Sequence, residues 1–544
     1  MRRCWGVAGI VVAVSVLAAC SAEVPIPGVA YGGGTPAASA SPAAAVTSRP
    51  LLPVATIRAP SAAATVVSGT APGALTAAFA RTLFASAPVV VVSGTAGAAV
   101  AAAGAAARAA HAPLLLAAPA AVQGKVKGKG EIQSTAQVAA QVAASVRALR
   151  PKAVLAEGLP AAEQHELAAL LPGVKVVGSP AALPATGVPA PVSPVAVLVT
   201  TASAGKADPA ATTGASLTAV TATASAAGAD VVTVTGTDPR TDPAAIRELA
   251  RLRPAEVVAV GARFGSPATL ASRVAVAETG RQLPGGGQVM FPGRRLVAMY
   301  GHPGTPGLGV LGQQDLAASI TRARQLAADY RPLSSVPVVP AFEIIATVAQ
   351  ASPGPGKTYS FETPVPELLP WVRTATADGL YVVLDLQPGR ASLLSQAEHY
   401  QSLLELPDVG LALDAEWKLQ PGQKPLRQIG HVSISEVNSV VSWLSALTAR
   451  HNLPQKLLVL HQFQLAMLTG ERHLDTSRDN LAIVIHMDGQ GTPGVKQATW
   501  NAVTAAAPPG VFFGWKNFLV KDHPMLTPGQ TMTKAPAPVM ISYQ

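Results

Sequence analysis

The sequence predicts an α/β protein in which an N-terminal parallel α/β domain is followed by a TIM-type (β/α)8 barrel. Three observations carry this prediction. Short β-branched runs alternate with alanine-rich helical stretches across residues 61–288. From residue 289 to residue 544, eight further strand-like runs occur, which is the number that such a barrel needs in a chain of this size. Polar residues stand at the end of each of these eight runs.

Composition and charge narrow the class of protein. The chain has 544 residues, 49% apolar and 13% charged, which excludes a disordered acidic or basic protein. Its two cysteines, Cys4 and Cys20, both lie in the first 20 residues, so no disulfide framework or cysteine zinc site is expected in the body. The net charge of +10 favours anionic surroundings, but it is spread along the chain and predicts no nucleic-acid partner.

Residues 1–20 predict a secretory signal. The basic start from Met1 to Arg3 precedes an apolar run of about twelve residues, which is short for a membrane span. The run ends in Leu17-Ala18-Ala19-Cys20, which resembles the bacterial lipobox. The resemblance implies that Cys20 is lipidated and anchors an extracytoplasmic protein to the cell membrane, facing the wall; an ordinary Ala-x-Ala signal is the alternative. Residues 21–60, rich in Ala, Pro and Ser, predict a spacer.

In residues 61–288, continuous apolar runs between helices predict parallel strands that are buried on both faces. The runs are Val89–Val92, Leu114–Ala117, Ala153–Ala156, Val195–Val199, Val231–Val234 and Val257–Val260, and Ala96–His111 is a predicted helix. No Gly-x-Gly-x-x-Gly motif follows a strand, so nucleotide binding is not expected. The loop Lys125–Lys129 is expected to be solvated, with contact to a polyanion as the alternative.

An internal repeat occurs within the same region. Residues Leu149 to Gly158 match residues Leu252 to Gly261, and each copy places an Arg-Pro helix stop just before a strand that ends in glycine. This unit resembles the cell-wall-binding repeats of Gram-positive surface proteins. The resemblance implies non-covalent attachment to an anionic wall polymer.

Eight runs in residues 289–544 predict the barrel strands. They are Leu296–Tyr300, Val338–Ile345, Leu380–Leu386, Val409–Leu413, Lys456–Leu460, Leu481–Ile485, Val511–Gly514 and Pro538–Ser542. Amphipathic helices are predicted at Gln314–Tyr330, Arg390–Leu406 and Ser435–Arg450, the last with Ser433 and Glu436 as a capping box. No clear helix is predicted after the seventh or the eighth strand.

The polar residues at the strand ends predict a ligand pocket, because these ends converge on one face of a barrel. The residues expected to contact substrate are Tyr300, His302, Glu343, Gln387, Trp417, His461, Gln462, His486, Trp515 and Tyr543. Among them, Trp417 and Trp515 are the expected platforms for sugar stacking. Lys516 and Gln544 also lie at strand ends.

The sharpest chemical signal is the segment Leu413-Asp414-Ala415-Glu416-Trp417. Residues i and i+2 of a strand point to the same side, so Asp414 and Glu416 are expected to share a face. A carboxyl beside another carboxylate in a low-dielectric pocket has a raised pKa, which makes it a general acid near neutral pH. Glycoside hydrolysis also needs a second carboxylate or a substrate acetamide, and Asp385 and Asp488 are the candidate carboxylates.

The Asp-x-Glu of this fourth strand resembles the end of the chitinase-type glycoside hydrolase motif Asp-Gly-x-x-Asp-x-Asp-x-Glu, with Ala412 and Val409 in place of the two earlier acids. The resemblance implies that Glu416 is the proton donor and Asp414 its orienting partner. The whole chain resembles a family of Gram-positive envelope lipoproteins with Tyr-Gly-His-Pro-Gly, Leu-Asp-Leu-Gln-Pro-Gly and Leu-Asp-x-Glu-Trp segments, here at 300–304, 384–389 and 413–417. That family resemblance implies no particular activity.

Two other functions stay open. One is a barrel that binds wall polymer without cleaving it. The other is a metal-dependent hydrolase, because His302, His461 and His486 end strands one, five and six, roughly where amidohydrolase-type barrels hold metal ligands. Strand one lacks His-x-His and strand four lacks a lysine, however, and no Gly-x-Ser-x-Gly elbow supports a serine nucleophile. The preferred prediction is an envelope protein that binds wall polymer and acts on a glycan through Glu416, without metal or cofactor.

Overall fold

The computed structural model describes residues 51–117, 135–190, 194–201 and 213–544. The residues from Leu52 onward belong to one unit. The predicted signal segment with Cys20 and the loop Lys125–Lys129 lie outside the described residues. In the described part of the chain, no helix is both long and apolar enough to cross a membrane.

The N-terminal half of the described chain alternates short strands with helices. In chain order its elements are β1 (Thr56–Ile57), β2 (Ala64–Val67), α1 (Pro72–Leu83), β3 (Phe84–Ser86), β4 (Val89–Ser93), α2 (Gly97–Ala109), β5 (Leu114–Leu116), α3 (Thr135–Ala148), β6 (Ala153–Glu157), α4 (Ala161–Leu170), β7 (Lys175–Val177), β8 (Val195–Thr200), α5 (Gly214–Ala226), β9 (Asp230–Val234), α6 (Pro243–Leu252), β10 (Glu256–Val260) and α7 (Pro267–Ala277). Every predicted strand of this half is present. The short strand β1 falls within the range predicted as spacer and pairs with β3.

These strands form two four-stranded parallel sheets with the same internal order. The first sheet runs β5-β4-β6-β7 and the second runs β9-β8-β10-β2. Apart from β2, the strand that comes second along the chain, β5 or β9, lies at one edge of its sheet. The first strand, β4 or β8, lies next to it, followed by the third, β6 or β10, and the fourth place is at the other edge. The fourth place in the second sheet is filled by β2, which comes from the start of the described chain. The N-terminal half therefore contains the same four-stranded βα arrangement twice. The second copy takes its edge strand, β2, from the start of the described chain.

The repeated Arg-Pro segments occupy equivalent places in the two sheets. Arg150 and Arg253 both have a left-handed backbone, with φ of 53° and 44°. Proline disfavours the α-helical region for the residue before it, so α3 and α6 must both stop here. The strands that follow, β6 and β10, both end in a glycine with positive φ, at Gly158 and Gly261. The repeat seen in the sequence is thus a repeat of local geometry.

The barrel half contains the eight predicted strands. Its elements are β11 (Arg295–Gly301), α8 (Leu316–Tyr330), β12 (Val338–Ala349), β13 (Ser360–Glu362), α9 (Val365–Ala377), β14 (Tyr381–Leu386), α10 (Leu393–His399), α11 (Gln401–Leu404), β15 (Val409–Asp414), β16 (Val432–Ser433), α12 (Ile434–Arg450), β17 (Lys456–His461), β18 (Leu468–Thr469), β19 (Leu481–Met487), α13 (Pro493–Ala506), β20 (Phe512–Asn517), α14 (Pro528–Met532) and β21 (Met540–Tyr543). Eight parallel strands close in the order β11-β12-β14-β15-β17-β19-β20-β21, and β21 pairs with β11. The (β/α)8 prediction for the barrel strands is confirmed.

The connections between barrel strands differ from the prediction in three places. Strand β20 is followed by the short helix α14, although no clear helix was expected there. The chain between β17 and β19 contains only short 3-10 turns and the strand β18. The predicted helix Arg390–Leu406 is divided into α10 and α11 at Tyr400, whose hydroxyl donates to the carbonyls of Ala346 and Thr363. These tertiary hydrogen bonds are invisible in a local pattern.

The predicted capping box at the start of α12 is half present. The Ser433 hydroxyl accepts a hydrogen bond from the Glu436 backbone N–H at 3.3 Å. The Glu436 carboxylate does not return to Ser433; it accepts from Lys418 Nζ at 2.7 Å and from the Leu393 N–H at 3.0 Å. The glutamate therefore ties the start of α12 to the loop after β15.

The inside of the barrel is packed in layers because alternate residues of each strand point inward. The lower layers are apolar and come from inward positions of the strands: Leu296, Ala298, Val339, Ala341, Tyr381, Val383, Ala412, Leu457, Val459, Ala482, Val484 and Met540. The segment that joins the two halves closes the bottom with Leu283, Met290 and Phe291. Only the layer at the carboxyl ends of the strands is polar.

The two halves are joined by ion pairs and by a buried glutamine. Arg240 and Arg273 of the N-terminal half reach Asp479 of the barrel at 2.7 and 2.8 Å. Gln288 is fully buried; its side chain donates to the carbonyls of Val276 and Arg281, and its backbone carbonyl accepts from the N–H of Gln455 in the barrel at 2.8 Å. Asp479 and Gln455 both precede barrel strands, so these contacts lie near the amino ends of the strands.

We expect Gly158→Ala to destabilise the protein more than Gly173→Ala. Both glycines have left-handed φ, of 66° and 82°, which costs any other residue about 1–2 kcal/mol. A Cβ at Gly158 would also lie 2.5 Å from the Cβ of Ala99 in α2, whereas Gly173 has open space. Overpacking adds about 1–3 kcal/mol, so the Gly158 variant should show the lower free energy of unfolding by that amount. Equal losses in chemical denaturation would contradict the close packing of β6 against α2.

Candidate functional site

The eight barrel strands each supply one inward polar side chain at the carboxyl end. These side chains are Tyr300, Glu343, Asp385, Asp414, His461, His486, Lys516 and Ser542, and all are buried. Burying so many ionisable groups is unfavourable unless they are paired with one another. The candidate site is therefore best described by how these side chains pair with one another.

His461 lies at the centre of this polar layer, between two carboxylates. Its Nε2 is 2.9 Å from Glu343 Oε1, and its Nδ1 is 3.1 Å from Asp488 Oδ2. Burial opposes a charge on the imidazole, but the two carboxylates outweigh it and raise the pKa of His461 well above its usual value. The ring is therefore held as an imidazolium with both nitrogens directed at acids.

Tyr300 and Asp385 form a second pair beside His461. The Tyr300 hydroxyl donates to Asp385 Oδ2 at 2.8 Å and accepts from Gln387 Nε2 at 3.2 Å. Lys516 Nζ lies 3.5 Å from the centre of the Tyr300 ring, as a cation–π contact. Burial raises the pKa of Asp385 to about 6, with His461 acting in the opposite direction. This carboxyl is thus half-protonated near pH 6 and mostly ionised at pH 7.

Asp414, Glu416 and Asp488 form a cluster of three carboxyls. Each offers an oxygen atom that lies within 4.8 Å of those of the other two. The strand β15 ends at Asp414, and a 3-10 turn over residues 415–417 places Glu416 beside it. The prediction that Asp414 and Glu416 share a face agrees with this geometry. A turn, rather than continued strand, brings Glu416 there.

Gly430 makes this turn possible. Its N–H donates to the carbonyl of Glu416 at 2.7 Å. A Cβ at this position would collide with the carbonyls of Glu416 and Lys418. At Gly430 the loop after β15 comes back into direct contact with the backbone of the 415–417 turn, and only glycine fits at this distance.

The carboxyls of the cluster differ in their protonation. Burial, followed by the charge of Asp488, raises the pKa of Glu416 to about 7. Burial and the charge of Asp385 raise the pKa of Asp414 well above its usual value. Burial acts in the same direction on Asp488, but the hydrogen bond and charge of His461 outweigh it and lower its pKa. The pKa of one acid of the cluster, Asp488, is thus lowered, whereas those of Asp414 and Glu416 are raised.

This carboxyl cluster is also the set of residues best placed to hold a cation. Carboxylate oxygens are the ligands preferred by Mg²⁺ and Ca²⁺. The three predicted histidines do not form such a set, because both ring nitrogens of His302 are taken by Thr305 and Thr363 at 3.1 Å. The metal alternative built on His302, His461 and His486 therefore does not match the geometry.

His486 is a neutral member of the polar layer. Its Nε2 lies 2.7 Å from the Ser542 hydroxyl, and burial together with the charge of His461 lowers its pKa well below the usual value. Gly514 of the neighbouring strand leaves the room for this ring, because a Cβ there would overlap Nδ1. Ser542 and Gly514 were not predicted as site residues. A serine two positions after an inward methionine was the available signal for Ser542.

Three of the predicted substrate contacts lie outside the barrel wall. Trp515 is fully buried against Trp500, with ring centroids 5.5 Å apart, so its indole is not an open platform for a sugar. The Tyr543 hydroxyl is 2.7 Å from that of Tyr330 in α8, and Gln462 donates to Glu471. Strand alternation explains this, since each of the three neighbours an inward residue. Trp417 is partly exposed and stays next to Glu416.

Several buried oxygens and nitrogens in the polar layer have no hydrogen-bond partner among the described residues. They include Glu343 Oε2, Asp385 Oδ1, Asp414 Oδ1, Asp488 Oδ1 and His486 Nδ1. Native proteins leave few such atoms without a reason, and functional sites are one of the common reasons. These atoms make the top of the barrel the candidate site for a polar ligand.

We expect Glu416→Gln to change how stability depends on pH. The unfolded chain loses the Glu416 proton near pH 4.5, whereas the folded chain keeps it to about pH 7. The folded state therefore binds more protons within this window, and the contribution of this group to the free energy of unfolding falls as the pH rises. The free energy of unfolding of the variant, relative to that of wild type, should therefore increase from pH 4.5 to pH 7, by at most about 3 kcal/mol.

Chemical denaturation at several pH values measures this difference. The exposed Glu398, converted to glutamine, is the control and should run parallel to wild type. A Glu416→Gln curve that also stays parallel would show that Glu416 titrates normally.

Comparison with known proteins identifies no relative of this chain. No family model matches the chain, and no curated protein or solved structure matches it either. The side-chain geometry at the top of the barrel is therefore the evidence for what this protein does.

Proposed function

We propose that this protein is a cell-envelope enzyme that cleaves a glycan at the top of its barrel, with Glu416 as general acid and Asp488 as the second carboxylate. The single observation that carries this proposal is the pairing of these two acids. Their oxygens lie within 4.8 Å of each other, and their environments shift their pKa values in opposite directions. Such a division assigns the acid and the base of a hydrolase.

The protonation of the pair suits glycoside hydrolysis near neutral pH. Glu416, with a pKa of about 7, holds a proton that it can give to a leaving oxygen. Asp488 stays ionised because His461 lies 3.1 Å away, and it can stabilise or attack the sugar carbon that becomes positive. Retaining enzymes hold their carboxyls about 5 Å apart and inverting enzymes hold them further apart, so the short separation favours retention.

The remaining polar residues position this pair. Asp414 is buried, and its raised pKa keeps a proton beside Glu416. Glu343 holds His461 from the far side, which fixes the imidazolium that supports Asp488. Trp417 follows Glu416 directly and is the remaining aromatic candidate for sugar stacking.

The N-terminal half is proposed to bind an anionic wall polymer, and Cys20 is proposed to carry the lipid that anchors the protein outside the cell. The support is the repeated Arg-Pro-strand-glycine unit, which recurs with the same backbone geometry in both sheets. The excess of basic over acidic residues, 40 against 30, suits an anionic polymer. A barrel that binds the polymer without cleaving it is the non-catalytic alternative.

A second candidate activity is cation-dependent hydrolysis. It is favoured by the three oxygens of Asp414, Glu416 and Asp488, which a divalent cation can bridge. A cation would favour the ionised form of all three acids, the reverse of the protonation described for Glu416 and Asp414. The two activities therefore differ in their response to chelators.

We expect Glu416→Gln to reduce glycan cleavage by about 10²–10⁴-fold while binding survives, because the amide keeps the shape of the acid but has no proton to give. Asp488→Asn should reduce the cleavage rate by a similar factor. Asp414→Asn should reduce it less and should shift the pH optimum of cleavage. The measurement is release of reducing ends from cell-wall glycans and chitin oligomers, with Glu398→Gln as control.

The same assay separates the alternatives. Chelators should leave the cleavage rate unchanged if Glu416 is the acid. Activity lost to a chelator and restored by Mg²⁺ or Ca²⁺ would favour the cation-dependent reaction. Binding without cleavage by the wild-type protein would favour the non-catalytic polymer binder.

The anchoring and wall-binding proposals make a separate prediction. Cys20→Ala should release the protein from the membrane fraction, because no lipid can be attached. The released protein should sediment with purified cell wall, and retention should fall as salt screens the anionic polymer. Membrane partition equal to wild type would contradict lipidation, and a protein that stays in the supernatant at low salt would contradict wall binding.

A further inference from the structure

Exposed apolar side chains lie along one side of the mouth of the barrel. We call this set the apolar rim; it consists of Leu426, Ile429, Leu465, Val495, Leu519 and Val520. They lie on the segments that follow β15, β17, β19 and β20, which are neighbours in the barrel. Segments after the carboxyl ends of barrel strands lie on one face, so the apolar rim is on the same face as the polar layer.

The concentration of these side chains on one face sets them apart from ordinary exposed apolar residues. Twelve large apolar residues are exposed in the described chain, and seven of them, the rim and Phe361, follow barrel strands on this face. At the opposite end of the barrel Leu333 is exposed. Single exposed apolar residues need no explanation, whereas a group on one face marks an interaction surface.

Basic residues are interleaved with the apolar rim. Lys424 and Arg427 flank Leu426, and Lys521 follows Val520; all three are exposed. None of the three forms an ion pair with another described residue. The loop 418–431 contains no acid, and Asp522, the acid of the loop after β20, is buried in an ion pair with Lys496. The two loops that carry these cations, after β15 and β20, therefore combine apolar side chains with positive charge that no described ion pair neutralises. The exposed acids Glu362 and Glu367 of this face follow β12.

We propose that this face docks onto an anionic lipid bilayer. Leu426 and Val520, which are 84% and 78% exposed, would enter the headgroup region, and Lys424, Arg427 and Lys521 would meet the lipid phosphates. An anionic lipid surface matches both properties of these loops, the apolar side chains and the positive charge. A second copy of this face would bring like charges together, and a polar glycan would leave the apolar side chains in water.

The predicted anchor is compatible with this orientation. Between Cys20 and Leu51 lie about 30 residues, and a chain of that length reaches up to about 100 Å when extended. The barrel would thus be able to turn its mouth to the same membrane that holds the lipid. Docking places the polar layer at the membrane surface, so the substrate would be a molecule held in that membrane by a lipid part, with its polar part in the barrel.

Vesicle sedimentation of residues 21–544 tests the proposal, since this chain keeps every described residue and lacks the predicted signal and lipid. It should bind phosphatidylglycerol vesicles and not phosphatidylcholine vesicles. Combined Lys424→Gln, Arg427→Gln and Lys521→Gln should weaken binding about 100-fold, at about fivefold for each cation. Combined Leu426→Ser and Val520→Ser should weaken it at least about tenfold.

The matched control lies at the other end of the barrel, where Arg331→Gln and Leu333→Ser remove one exposed cation and one exposed apolar side chain. This variant should bind like wild type. Thermal melting checks that each variant is folded. Three results would each overturn the proposal. One is that the basic-residue variant and the Leu426/Val520 variant bind vesicles as well as the control does, and another is equal binding to both kinds of vesicle. The third is that these variants alter only self-association in sedimentation velocity.

This test is independent of the proposed reaction. Cleavage of soluble oligomers reports on Glu416, whereas vesicle binding reports on the rim. Loss of one with retention of the other would separate a wrong enzyme assignment from a wrong membrane assignment.

Discussion

The charge on His461 is the interaction on which the top of the barrel depends. Five carboxyls, those of Glu343, Asp385, Asp414, Glu416 and Asp488, lie close to it, and their mutual repulsion in a buried layer would be severe. The imidazolium lies between Glu343 and Asp488 and lowers the pKa of Asp488, whereas burial raises the pKa of Asp385, Asp414 and Glu416. Lys516 adds a second positive charge that acts to lower the pKa of Asp385, Glu416 and Asp488. The carboxyls of the layer thus have pKa values shifted in opposite directions, and a proton-transfer reaction requires such a difference.

Strand alternation places this layer, and it also explains which of the predicted site residues face the inside of the barrel. The eight strands were predictable because each is a continuous apolar run that ends in polar residues, as at Val409–Asp414. A polar strand end does not reveal which of two adjacent residues faces inward. Lys516 and Ser542 are inward, so their neighbours Trp515 and Tyr543 pack on the outer helices. That choice follows from barrel register, which no local pattern contains.

Other features required contacts that are distant in sequence. Glu416 reaches Asp414 through a turn that Gly430 permits, and the sequence shows neither the turn nor the return of the loop. His486 fits only because its neighbour across the sheet is Gly514. The internal repeat was visible from Arg-Pro and glycine alone, because proline and positive-φ glycine impose local geometry whatever surrounds them. The exchange of β2 into the second sheet was not visible, because it joins strands almost 200 residues apart.

The division between the two ends of the barrel suggests how stability and chemistry are kept apart. Apolar layers and the plug around Phe291 fill the lower barrel, and the ion pairs of Asp479 attach the N-terminal half there. Neither feature involves the loops at the mouth, which are free to carry polar groups inside and apolar groups outside. A buried carboxyl such as Glu416 lowers stability at neutral pH, and folded proteins keep such groups chiefly where function needs them. The same reasoning applies to the exposed Leu426 and Val520, whose contact with water is unfavourable until a partner covers them.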